Sequence, residues 1–253
     1  MKKKIIRIIK LNLFKTIIIN LKLFPLKLAI KFPIYLYGKI DIRNTSGKGI
    51  IGVPSSSGMM KVGLNDSSLF GFGSPSKTRF CIKGRLCING NNIRFANGTI
   101  VVVKEKACLK LEGNNLINTE SMIMCSHEIV FCRNARISWQ GQVLDTNFHY
   151  SIDQERKVSK RNRAVLLGKN VWIGNRVTIN PGTIVPDYSI VASNTLLNKD
   201  YSSEGPMVLL GGIPGRKLKS GITRVFDKND EELADSLFEQ NPELEIVQLP
   251  SNS

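Results

Sequence analysis

Residues 165–199 read VLLGKNVWIGNRVTINPGTIVPDYSIVASNTLLNK. Neither the 3.6-residue period of a helix nor the two-residue alternation of a plain strand accounts for this stretch. Apolar residues recur every six positions, at Leu167, Ile173, Ile179, Val185, Val191 and Leu197. A second row of small or β-branched side chains, Val165, Val171, Val177, Thr183, Ser189 and Thr195, runs two residues ahead of the first, and Gly, Asn, Lys, Arg and Pro occupy the places between. A short fixed repeat of this kind calls for a coiled parallel sheet. If each unit is one short strand and a corner, three units close a triangular turn of 18 residues. Successive turns then stack at about the 4.8 Å spacing of neighbouring strands, with the aliphatic row pointing inward. The Gly, Asn, Pro and Asp residues suit the tight corners. An ordinary pair of alternating strands would have to match this register six times by chance.

The period extends backward. Leu111, Ile117, Ile123 and Ile129 keep the six-residue step, and after a shift of two, Phe131, Ile137 and Val143 keep it again; one more step lands on His149. Residues 39–98 are rich in Gly, Ser and Asn with short β-type runs such as KGIIGV, MMKVGL and RFCIKGRLCING, which fit early, irregular coils with bulging loops. Between the last coil of this set and Val165 lies a polar excursion, HYSIDQERKVSKRNRA. Loops of that length inside a compact domain tend to be functional. Its Arg156, Lys157, Lys160, Arg161 and Arg163 suit anionic ligands, though a solvated loop has the same composition.

The predicted organisation is a basic amphipathic N-terminal segment (residues 1–38), a coiled domain (39–221, with the loop 149–164) and a C-terminal helix and tail (222–253). Lys and Arg at 2, 3, 4, 7, 10, 15, 22, 27 and 31 interrupt the N-terminal aliphatics, so no apolar run reaches the roughly 20 residues of a membrane span. A cleaved signal is also disfavoured, because no small-residue cleavage site follows. A helix ending near Pro25 and a second segment ending near Pro33 are expected. Two readings stay open: a peripheral anchor on an anionic leaflet, or a cap over the open end of the coil with its lysines as the solvated face. At the other end, Asp227 is an N-cap candidate, Asp230, Glu231 and Glu232 fill the first turn, and the helix should stop before Pro242.

Composition narrows the function. The 253-residue chain has 36 Lys and Arg against 20 Asp and Glu, a formal charge of +16, so an anionic partner is expected. No basic surface with interleaved aromatics or known binding motif points to nucleic acid. Five cysteines without a CxxC pair and only two histidines argue against a zinc or disulfide framework, and the reduced thiols point to the cytoplasm. The sharpest polar cluster is DTNFH at residues 145–149. His149 has the side chain best suited to take a proton near neutral pH, and a carboxylate at Asp145 could hold its tautomer. The other histidine, His127, sits in mid-coil and is read as structural.

The six-residue rows, NVWIG at 170–174, DTNFH at 145–149 and GGIPGRKLK at 211–219 together resemble the hexapeptide-repeat acyltransferases, over roughly residues 10–220. The branch most similar acts on sugars of capsular and lipopolysaccharide assembly. That resemblance implies a mainly β, left-handed parallel β-helix and a homotrimer with active sites in clefts between neighbouring prisms. It implies acetyl-CoA as acyl donor, no metal, and a sugar or glycan acceptor, free or lipid-linked. The reduced cysteines and the basic N-terminal segment place the protein in the cytoplasm or on the inner face of the cell membrane. By position, His149 matches the catalytic base and Asp145 the carboxylate of the DTDxH pattern, whose second acid is Asn147 here. Asn147 and Trp139 would contact the acceptor. Asn175 and Ser193, 18 residues apart and so expected to stack, would present main-chain amides to the thioester and pantetheine, with Trp172 walling the channel. Lys199, Arg216 and Lys219 match the basic positions near the nucleotide. Gly215 stands where the family more often has Ala, which suggests a looser turn. The alternatives are an N-acetyltransferase on an amino sugar and a non-catalytic trimeric scaffold; a trimeric carbonic anhydrase would need three zinc-binding histidines.

Overall fold

Both rows between Val165 and Leu197 are buried throughout, so each six-residue unit sends two side chains, two positions apart, into the interior. The chain then turns at a residue in the left-handed backbone region: Asn170 (φ 52°), Arg176 (52°), Gly182 (84°), Tyr188 (60°) and Asn194 (59°). Asn and Gly reach that region at low cost. Arg176 and Tyr188 are held in it by the coil below, their N–H groups donating to Trp139 O (3.1 Å) and Lys169 O (2.7 Å).

The computed structural model describes residues 11–64 and 75–250. The basic residues expected at 2, 3, 4, 7 and 10 lie outside the described residues. Among the described residues the chain forms a parallel β-helix with three faces, of nine, seven and six strands, surrounding one column of apolar side chains. Each fully buried Val, Leu or Ile in that column contributes about 1.5–3 kcal/mol relative to exposure. Strand partners are 18 residues apart in the upper coils, as in Leu166 on Ile184, Trp172 on Ile190 and Thr178 on Leu196. Lower down the spacing grows, with Leu116 on Arg136 and Ile100 on Met122. Strands of the seven-stranded face are longer there, Ile100–Val103 and Met122–Cys125, and bury a third inward residue: Val103 beyond Thr99 and Val101, and Cys125 beyond Ser121 and Ile123. That longer side is the physical origin of the two-residue shift in the sequence between Ile129 and Phe131, which align with Val165 and Leu167 of the coil above.

Two helices close the N-terminal end, α1 (Leu13–Leu23) and α2 (Leu26–Ala29). Ile19, Leu23 and Phe24 join the core, and two polar side chains on the same face complete the seal. Asn20 donates to Ile34 O (2.7 Å) and Thr16 O (2.7 Å) and accepts from Ile34 N–H (3.1 Å), while Thr16 Oγ1 accepts from Leu36 N–H (3.0 Å). Ile34 and Leu36 belong to the first strand of the nine-stranded face, whose free edge would otherwise be unsatisfied. The helix stands in for a missing strand, so capping is structural fact. Lys22, Lys27 and Lys31 are solvent-exposed, as expected of the cap's outer face, while Lys15, half-buried, turns its Nζ to Ile40 O (2.5 Å) and Lys22 Nζ also reaches Thr45 O (3.3 Å), because open strand ends offer carbonyls. Replacing Asn20 with Ala is expected to cost about 3 kcal/mol and to lower Tm by roughly 6–10 °C; a change within error would mean that the edge finds other partners.

At the far end, the strand Arg216–Ser220 pairs antiparallel with Val208–Gly211, and residues 221–227 lead into α3 (Lys228–Gln240). The Asp227 carboxylate caps α3 through the N–H groups of Asn229 (2.8 Å) and Asp230 (3.2 Å). The turn at Gly215 is closed rather than loose. Gly215 N–H donates to Leu196 O (2.7 Å), Tyr201 Oη donates to Gly215 O (3.0 Å), and a Cβ here would fall 2.6 Å from Leu197 Cδ2. Among the described residues no helix is long and apolar enough to cross a membrane.

Candidate active site on two edges of the prism

The three edges between faces sort the candidate residues. Corners joining the nine-stranded to the seven-stranded face form the first edge, which carries Trp139, Asn175 and Ser193. Asn175 and Ser193 stack as their spacing predicts, with Asn175 N–H donating to Ser193 Oγ (3.2 Å) and Asn194 N–H to Asn175 O (2.9 Å). Gly174 lets the coils approach here: an added Cβ would lie 2.7 Å from Ser193 N and 2.8 Å from Val191 O. Trp172 lies beside this edge on the nine-stranded face, its Nε1 donating to Ser138 Oγ (3.1 Å). The chain returning from the last strand covers the ring with the Arg224 guanidinium, 5.2 Å from its centroid. Trp172 is thus fixed on both sides.

The second edge, between the seven- and six-stranded faces, carries Asp145, Asn147, His149 and, higher up, Lys199. At Asp145 the chain leaves the coil as an antiparallel arm, with bridges Thr146–Asn162 and Ile152–Val158. Asn147 N–H donates to Arg161 O (2.9 Å), and on the return Arg163 N–H donates to Asp145 O (3.0 Å). Asn147 and His149 are exposed at the base of the arm. The basic residues of the arm partly serve the arm itself. The Arg161 guanidinium lies 4.6 Å from the Tyr150 centroid, and Arg163 packs against Gly182 of the next coil.

Asp145 does not hold the His149 imidazole. Its side chain is fully buried, and its two oxygens accept the main-chain N–H groups of Ser126 and His127, each at 2.7 Å. A carboxylate facing the corner of the coil below meets unpaired amides first, and two charge-assisted bonds fix it there. Burial and this carboxylate together push the neighbouring Cys125 thiol far above its ordinary range.

His127, expected to be structural, is exposed on this same edge, one coil below Asp145. The signal was available: counting one 18-residue coil back from Asp145 gives His127. Both histidines of the chain therefore share one edge. Arg216 and Lys219 lie exposed on the last strand, whose Lys217 pairs with Glu204 at 2.9 Å.

Within one prism, His149 and the Asn175–Ser193 pair stand on different edges, separated by the width of the seven-stranded face. A single copy does not bring them together.

No family model matches the chain. Over 55 residues it is 36% identical to the galactoside O-acetyltransferase of Escherichia coli (strain K12), covering 22% of this chain and 26% of that protein. Over 69 residues it is 30% identical to the chloramphenicol acetyltransferase of Klebsiella aerogenes, covering 27% and 29%. The matched segments thus span little more than a quarter of these curated relatives. Among solved structures, the polySia-specific acetyltransferase NeuO superposes with a TM-score of 0.42 at 16% identity, over 79% of this chain and 97% of that one. The resemblance to the hexapeptide-repeat acyltransferases is therefore borne out in sequence over about a quarter of the chain.

Proposed function

We propose that the protein transfers an acetyl group from acetyl-CoA to a sugar hydroxyl, by direct attack in a ternary complex. The sequence shared with acetyltransferases carries this reading, and the geometry of the two edges supports it. In the proposed step, a His149 ring nitrogen takes the proton of the acceptor hydroxyl as its oxygen attacks the thioester carbonyl. Main-chain N–H groups stabilise the tetrahedral oxyanion. Collapse breaks the C–S bond, and the imidazolium returns the proton to the departing CoA thiolate. No covalent enzyme intermediate forms.

The separation of His149 from Asn175 and Ser193 within one chain favours a homotrimer in which one prism supplies the base and its neighbour the donor groove. The arm adds weight to this, since Phe148, Tyr150, Ile152 and Val158 are exposed on it and offer an apolar surface to a second copy. Arg216 and Lys219 are assigned to the phosphates of the coenzyme, and Asn147 and Trp139 to the acceptor. Contact with the inner face of the cell membrane belongs to the same proposal, because a lipid-linked acceptor is presented there.

Incubation with acetyl-CoA and lipid-linked or nucleotide-linked sugars, followed by mass spectrometry, tests the activity. An acetylated sugar is expected, and no product with any hydroxyl or amino sugar would overturn the reading. Acetyl-CoA should also raise Tm. Arg216→Ala combined with Lys219→Ala is expected to weaken coenzyme binding about tenfold. Unchanged affinity would remove these two residues from the nucleotide site.

A further inference from the structure

The N-terminal helices present an apolar ridge on the side turned away from the coil. Leu13, Phe14, Ile17 and Leu21 fall within one 100° sector of α1 at the helical angle per residue. They are 61%, 73%, 38% and 54% exposed. Leu26 and Ile30, four residues apart, continue the ridge along α2 at 67% and 62% exposure. Thr16, Ile19, Asn20 and Leu23 occupy the face against the coil, so the ridge is not left over from an incomplete core. A contiguous exposed apolar patch of this kind marks a docking surface.

Charge selects the occupant. Residues 1–40 contain ten Lys and Arg and no Asp or Glu, and Lys22, Lys27 and Lys31 are exposed around the ridge. A second copy would bring the same uncompensated positive charge to the contact. A phospholipid surface with anionic headgroups instead offers negative charge around an apolar interior, the complement of an apolar ridge rimmed by lysines. We propose that α1 and α2 dock the protein flat on an anionic membrane, with Phe14, Leu21, Leu26 and Ile30 entering the acyl boundary. This deepens the membrane contact of the proposed function by naming the surface and the lipid charge it requires.

The test uses the full chain and sedimentation with vesicles at low salt. Phosphatidylcholine vesicles containing about one-third phosphatidylglycerol should bind the protein, and pure phosphatidylcholine vesicles should bind it at least about tenfold less. Phe14→Asp combined with Leu21→Asp alters only exposed positions, so the fold is expected to survive. This variant should lose at least about tenfold in binding to the anionic vesicles. Equal binding to both vesicle types, or undiminished binding by the variant, would overturn the proposal. So would a change in oligomeric state with vesicle binding intact, which would make the ridge an interface between copies. Transfer to a soluble sugar is the separate readout: it should be unchanged in the variant, so loss of membrane binding alone leaves the catalytic reading standing.

Discussion

Replacing His149 by Ala is expected to lower the turnover of acetyl transfer by about 10²–10⁴-fold, equivalent to roughly 3–5 kcal/mol of transition-state stabilisation. Tm and oligomeric state should not change. The side chain is exposed and its imidazole makes no hydrogen bond among the described residues, so its truncation removes no packing. The arm keeps its shape through main-chain bonds, Asn147 N–H to Arg161 O and Arg163 N–H to Asp145 O. His127→Ala is the paired control, because it removes the other imidazole on the same edge. It should leave turnover within about threefold of the native enzyme, as expected for a residue outside the reacting atoms. If the two variants exchange outcomes, His127 is the base; if neither loses activity, the histidine mechanism is wrong.

The prism was legible because its period is its register. A row that repeats every six residues fixes three faces, and the side chains of Val165 to Leu197 point where that count puts them. The lower coils were harder to read, since the four-residue strands at Ile100–Val103 and Met122–Cys125 lengthen one side and break the count. The edges were legible in principle. Asn175 and Ser193 lie one 18-residue step apart, and the same step joins Asp145 to His127. Composition misled where polar groups serve the backbone. Thr16 and Asn20 look like solvent-facing residues on an amphipathic helix, yet they are buried because the first strand needs partners. Arg161 and Arg163 look like ligand groups, yet they stack and pack within the arm and its neighbouring coil. Such roles depend on which atoms the fold leaves unpaired, and residue type alone does not show that.

The Asp145 substitutions separate an orienting carboxylate from a structural one. Asp145→Ala leaves two main-chain N–H groups, of Ser126 and His127, without their charged acceptor. That should cost about 3–5 kcal/mol and lower Tm by roughly 10 °C. Asp145→Asn keeps one acceptor oxygen but turns an amide donor toward a second N–H, so it should fall between native and Ala in Tm. Activity should follow stability, because the arm bearing His149 returns to the coil at Asp145 O. If the carboxylate instead held the imidazole directly, Asn would cut kcat severely while Tm stayed level. Cys125 supplies a readout independent of turnover. Its thiol is pushed up first by burial and next by the Asp145 charge, so removing that charge should bring it back toward its ordinary value and speed its alkylation at alkaline pH. A variant with native Tm, unchanged Cys125 reactivity and depressed kcat would return Asp145 to the imidazole. A variant that melts early, alkylates faster and regains turnover on cooling would fix it as the clamp that holds two coils and the base of the arm in place.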